Sequence, residues 1–155
     1  SEESGKGVIV LARTSNPGSA DYQARDLEGA PLYARVVESL APMMERLKGD
    51  SGWSGLMLVT GATGPDEAKH LRDLAPDALF LVPGYGAQGA GATEAMAGFG
   101  PAKDGGNRRE GGSVNASRSV TFPSGSAEAG SRGEWHGIIA AAIDAAQADL
   151  LTASA

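Results

Sequence analysis

Two segments of this chain carry residues suited to holding a small anion. Pro83-Gly84-Tyr85-Gly86-Ala87-Gln88-Gly89 directly follows the apolar run Ala78–Val82. A buried strand that empties into a glycine-rich turn lets backbone N–H groups come close to a phosphate, because no Cβ intervenes. Gln88 adds a neutral amide that can both donate and accept. Further along, Gly112-Ser113-Val114-Asn115-Ala116-Ser117-Arg118 reads as a second strand end. Its arginine is a planar, permanently charged fork that matches phosphate geometry.

The elements that must position these residues are legible as alternating strands and helices. Gly7-Val8-Ile9-Val10-Leu11-Ala12-Arg13 is a continuous apolar run, the pattern of a strand covered on both faces, and the turn residues Thr14-Ser15-Asn16-Pro17-Gly18-Ser19 close it. A helix is expected after Pro31, placed in its first turn, with Tyr33, Val36, Val37, Leu40, Met44 and Leu47 at helical spacing and Pro42 kinking or interrupting it. Leu56-Met57-Leu58-Val59 is a second strand, and Pro65-Asp66-Glu67 a helix start with acids at its positive end. Ala78–Val82 is the third strand, followed by a short helix with Thr93 as N-cap. The glycine-rich stretch 100–112 has no period and reads as an exposed, mobile loop. Ser113-Val114-Asn115 is a weak fourth strand, and a last helix runs from about Glu134 with Ile139, Ile143, Ala146 and Leu150 on one face.

Four strand–helix units in this order imply an α/β fold with parallel strands and right-handed crossovers. Two consecutive strand ends aimed at one anion is how the last strands of many (β/α)8 barrels bind phosphate, and a complete barrel takes about 250 residues. With 155 residues, the expected architecture is the C-terminal half of such a barrel, its strands five to eight, as a single segment over 1–155. The first half would then be absent. The start at Ser1-Glu2-Glu3-Ser4, just before a buried strand, fits the back part of something longer.

Composition narrows the function classes. The chain is 41% hydrophobic and 21% charged, as globular domains are, and its formal charge of −6 disfavours nucleic acid as the main partner. It has no cysteine, which excludes disulfides and thiolate chemistry and fits the cytoplasm. No apolar run approaches the roughly 20 residues of a membrane span.

Taken together, the strand ends resemble orotidine 5′-phosphate decarboxylases of the longer bacterial type. The matching pieces are Val10-Leu11-Ala12-Arg13-Thr14-Ser15-Asn16-Pro17-Gly18-Ser19, Val59-Thr60-Gly61-Ala62-Thr63, the 83–89 turn, and Val114-Asn115-Ala116-Ser117-Arg118-Ser119, in family order. The resemblance implies a homodimeric barrel enzyme of pyrimidine biosynthesis that converts orotidine 5′-monophosphate (OMP) to UMP without metal or organic cofactor. It also implies that Ser15 hydrogen-bonds the pyrimidine, Gln88 links that serine to the phosphate region, and Arg118 binds phosphate with backbone amides around Gly86, Gly89 and Ser117. The family's Asp-x-Lys-x-x-Asp array occurs nowhere in this sequence, with Lys6, Lys48, Lys69 and Lys103 all at expected element edges or in loops. The chain is therefore expected to bind part of the substrate without turning it over alone. Ala90-Gly91 and the basic stretch at Arg108-Arg109 also depart from the family pattern.

Other residues carry plainer readings. His70 and His136 lack partners at ligand spacing and are expected at the surface or in helix packing. Trp53 and Trp135 are expected as core or interface anchors, and Met43, Met44, Met57 and Met96 as packing residues. The alternative to an enzyme segment is a non-catalytic phosphate-binding α/β module that self-associates, because half a barrel leaves two open edges and a bare inner face.

Overall fold

In the computed structural model, residues 5–86 and 88–154 are described; Ser1-Glu2-Glu3-Ser4, Ala87 and Ala155 lie outside them. The β-branched run becomes β1 (Val8–Arg13), and a 3-10 turn at Pro17–Ser19 leads into α1 (Ala20–Gln23). β2 (Asp26–Leu27) and β3 (Ala30–Pro31) form a small antiparallel hairpin around Glu28 and Gly29, both at positive φ. α2 spans Leu32–Arg46, with Pro31 as its cap rather than in its first turn. Pro42 does not interrupt this helix; its ring lies on the exposed side.

β4 (Ser54–Thr60), α3 (Pro65–Leu74) and β5 (Ala78–Val82) follow as the apolar spacing requires. α4 is one turn, Ala92–Ala95, capped by Gly91 instead of Thr93; the Glu94 side chain accepts from the Gly91 N–H at 3.0 Å. The aperiodic stretch is not an unstructured loop: β6 (Gly100–Pro101) pairs antiparallel with β7 (Arg109–Glu110), and Arg109 Nη2 donates to the Phe99 carbonyl. β8 (Gly112–Val114), α5 (Ser117–Thr121) and α6 (Arg132–Ala153) complete the order.

The main sheet is parallel with strand order β1-β4-β5-β8, the order of the chain itself. A doubly wound sheet reverses direction at a switch point, whereas a barrel adds each strand beside the last. This sheet does the second.

Burial alternates along β4 and β5. Leu56, Leu58, Ala78 and Phe80 form one core with Tyr33, Ala34 and Val37 of α2 and Leu71 of α3. The opposite face is not covered as the apolar run of β1 suggests: Ile9 and Leu11 are 51% and 55% exposed, and their neighbours Met57, Val59, Leu79 and Leu81 are half-buried. Among the methionines, Met44 and Met96 are buried and Met57 is half-buried, but Met43 is exposed.

At the opposite end of the sheet from the glycine-rich turns, Arg72 replaces missing donors. Its guanidinium donates to the carbonyls of Gly98, Ala75, Pro76, Ala78 and Gly111 at 2.7–3.1 Å and lies 3.9 Å from the Phe80 ring centroid. Burial pushes its pKa down to about 10, so it stays charged at neutral pH. Trp53 lies under this group and under the Lys103 ammonium, which is 4.1 Å from its centroid. Lys103 and Lys48 both reach Asp77 at 2.5 Å.

Arg72→Met keeps most of the packing volume but strips donors from these carbonyls; urea unfolding is expected to show a loss of at least about 3 kcal/mol, since each orphaned buried group costs about 1–3. The hydrogen bonds from Lys103 and then Lys48 hold the Asp77 carboxyl below its ordinary value. Its stabilisation is therefore present above about pH 4 and lost as pH falls through the lower folded value. Melting temperatures across acid pH should fall less steeply for Asp77→Asn than for the wild-type chain.

Candidate functional site

The C-terminal ends of β1, β4, β5 and β8 all deliver polar residues to one side of the sheet. A cavity of about 510 Å³ is lined by Arg13, Ser15, Asn16, Ser19, Thr63, Gln88 and Arg118, among others. A second, of about 160 Å³, is lined by Pro83, Gly84, Tyr85, Gln88, Asn115, Ser117 and Arg118. Gln88 and Arg118 border both, so the amide and the guanidinium of the two predicted segments do converge. Their distance along the chain is closed by the parallel pairing of β5 with β8.

Close backbone approach brings Ser15 to the same place. A Cβ built on Gly61 would fall 2.7 Å from the Ser15 nitrogen, and one on Gly84 would fall 2.8 Å from the Ser15 Cβ. That same point above Gly84 is 3.3 Å from both Ser15 Oγ and Gln88 Oε1, so these side chains stand next to each other. Thr63 Oγ1 donates to the Ser15 carbonyl at 3.2 Å, and the Thr14 N–H donates to Gln23 Oε1 at 2.9 Å.

The glycine-rich turn is built differently from a simple amide cradle. The Gly86 N–H donates to the Ala90 carbonyl at 2.8 Å and the Gly89 N–H to the Gly86 carbonyl at 2.9 Å. Both amides are engaged inside the turn, so these glycines shape it. Ser117 lines the smaller cavity, with its hydroxyl donating to Asn115 Oδ1 at 2.7 Å. Arg118 sits in α5, a helix that the strand-end reading does not anticipate; it is exposed, and its guanidinium has no carboxylate partner among the described residues. It is the available cation of the site.

Arg13 is the residue that the sequence reading passes over. A charge closing an apolar strand was the signal for it. It is only 7% exposed, paired with Glu67 Oε1 at 3.1 Å, and it lines the larger cavity. Tyr33 donates to or accepts from His70 Nδ1 at 3.1 Å, which gives His70 a packing role; burial, then the Glu67 charge, raises the phenol's pKa. His136 and Trp135 are exposed neighbours on α6, away from these cavities. Asp66 pairs with Lys69 on α3, which places Lys69 within a helix rather than at an element edge.

No family model matches the chain. Orotidine 5′-phosphate decarboxylase from Haloarcula marismortui is 45% identical over 118 residues, 76% of this chain and 38% of that protein. The enzyme of that name from Cupriavidus metallidurans is 42% identical over 120 residues, 77% of this chain and 40% of that protein. The chain thus spans about two fifths of the curated relatives it matches. Leishmania donovani OMP decarboxylase superposes with a TM-score of 0.58 at 30% identity, covering 92% of this chain and 46% of that one. Leishmania donovani UMP synthase gives a TM-score of 0.59 at 33% identity, with 92% and 27% covered.

The close approach at Gly84 can be separated from simple backbone strain. Gly89 has a φ of 92° with open space around it, whereas Gly84 has a φ of 105° and Ser15 in the way. Gly89→Ala is expected to cost about 1 kcal/mol in thermal unfolding from its dihedral alone. Gly84→Ala should cost clearly more, because Ser15 must move as well.

Proposed function

We propose, for a chain that in sequence and fold corresponds to part of an orotidine 5′-phosphate decarboxylase, that it supplies the phosphate- and pyrimidine-binding side of such an enzyme. The parent activity is the decarboxylation of orotidine 5′-monophosphate to UMP in pyrimidine biosynthesis, by a cytoplasmic homodimer. The observation that carries this is the shared lining of both cavities by Gln88 and Arg118, with Ser15 beside Gln88.

Each residue has a distinct part. Arg118 is the uncommitted guanidinium and takes the phosphate, with Ser117 next to it and with Gly86 and Gly89 shaping the adjoining turn. Ser15 presents its hydroxyl to the pyrimidine. Gln88 borders both cavities and bridges the two ends of the nucleotide. None of them touches the reacting bond. Loss of carbon dioxide leaves charge on a ring carbon that delocalises it poorly, so the reaction needs preorganised electrostatic stabilisation. Gripping a remote phosphate contributes by fixing the ring in place, where binding energy can appear in the rate. The Asp-x-Lys-x-x-Asp groups that would act on the carboxylate and carbanion come from outside this sequence, so the chain alone is inactive.

The bare face carrying Ile9 and Leu11 supports a second reading, a phosphate-binding α/β module that self-associates to cover it. Light scattering separates the two: a monomer that becomes active only with an upstream half favours the enzyme segment, and a stable self-associated species that binds UMP without turnover favours the module.

UMP should raise the melting temperature of this chain joined to its upstream half. Arg118→Ala should weaken UMP binding by about 1.5–3 kcal/mol, the scale of a hydrogen bond to a charged group. Calorimetry that finds an unchanged affinity removes Arg118 from the site.

A further inference from the structure

We propose that Arg13 and Glu67 form a positioning pair for Ser15, and that they govern recognition of the pyrimidine end without contributing to the phosphate end. This rests on the function proposed above and adds two residues to it.

Arg13 is the last residue of β1, and its guanidinium lies beneath the 14–19 loop. Nη2 meets Glu67 Oε1 at 3.1 Å; Nη1 donates to the Thr14 carbonyl at 2.8 Å and to Ser19 Oγ. One side chain thus holds both ends of the loop that carries Ser15 and anchors them to α3. Arg13 Nε is buried with no partner among the described residues, so the guanidinium is held through its two terminal nitrogens alone. Gln23 and Thr63 fix the same loop through Thr14 N–H and the Ser15 carbonyl. The backbone of Ser15 is therefore held from several directions, while its hydroxyl has no hydrogen bond among the described residues. A binding group is precise when its support is fixed and its own atoms are free.

Charge separates the roles of the two arginines on the cavity wall. Arg13 already faces a carboxylate, so an incoming phosphate would compete with Glu67 for it. Arg118 faces none. A nucleotide should therefore place its dianion at Arg118 and its ring at the loop that Arg13 supports.

The test uses the full chain titrated with UMP and, separately, with ribose 5-phosphate, which keeps the phosphate and lacks the base. Glu67→Gln should weaken UMP about five- to tenfold, the equivalent of roughly one hydrogen bond, and leave ribose 5-phosphate unchanged. Arg118→Ala should weaken both. If Glu67→Gln does not fold, Ser19→Ala decides, since it removes one anchor of the loop and keeps the ion pair; it should weaken UMP selectively. Equal weakening of both ligands by Glu67→Gln, or no change in UMP affinity in the folded variant, overturns the pair's role while leaving the site intact. A wild-type chain that binds neither ligand overturns the site itself, and this inference with it.

Discussion

The close approach of the 14–19 loop to the ends of β4 and β5 is the constraint on which the site depends. Ser15 can sit against both strand ends only because Gly61 and Gly84 have no Cβ; one added at either position would fall 2.7 or 2.8 Å from Ser15. Gly84 must also hold a φ of 105°, outside the ordinary range of residues with side chains. Two glycines far apart in sequence thus decide how closely the loop after β1 can approach the ends of β4 and β5.

The sheet makes that convergence possible. Strands added in chain order, all parallel, bring every C-terminal end to the same side. Brought together there are an uncommitted guanidinium, an amide, a hydroxyl and a second guanidinium whose charge is already answered by Glu67. Such a set suits recognition of a phosphorylated ligand with a polar ring. It holds no group in the family's Asp-x-Lys-x-x-Asp pattern.

The far end of the sheet is organised around a different cation. Arg72 gathers carbonyls from the end of α3, the start of β5 and the approaches to β6 and β8. A buried arginine can do this because five donors radiate from one plane, enough for several carbonyls left over where elements end. The ribbon of β6 and β7 returns the chain to this cluster, and Lys103 at its base stacks on Trp53. Trp53 is thus an anchor for two cations, which refines the expectation of a hydrophobic one.

By itself the sequence determined β1, β4 and β5, because runs of β-branched and aliphatic residues leave few alternatives, and the start of α3, because Pro65-Asp66-Glu67 suits a first helical turn. It also determined the two segments that hold Gln88 and Arg118, through glycine spacing and a charge placed after a strand. Tertiary structure alone decided the rest. The β6–β7 ribbon has no period and exists through pairing across seven or more intervening residues. The ion pair between Arg13 and Glu67 joins positions 54 apart, and the carbonyl cluster at Arg72 reaches as far as 39. The engagement of the Gly86 and Gly89 amides inside their own turn was equally hidden. A local pattern records the propensity of neighbouring residues, whereas a buried charge takes whichever partner the packed chain brings within reach, and that partner is set by topology.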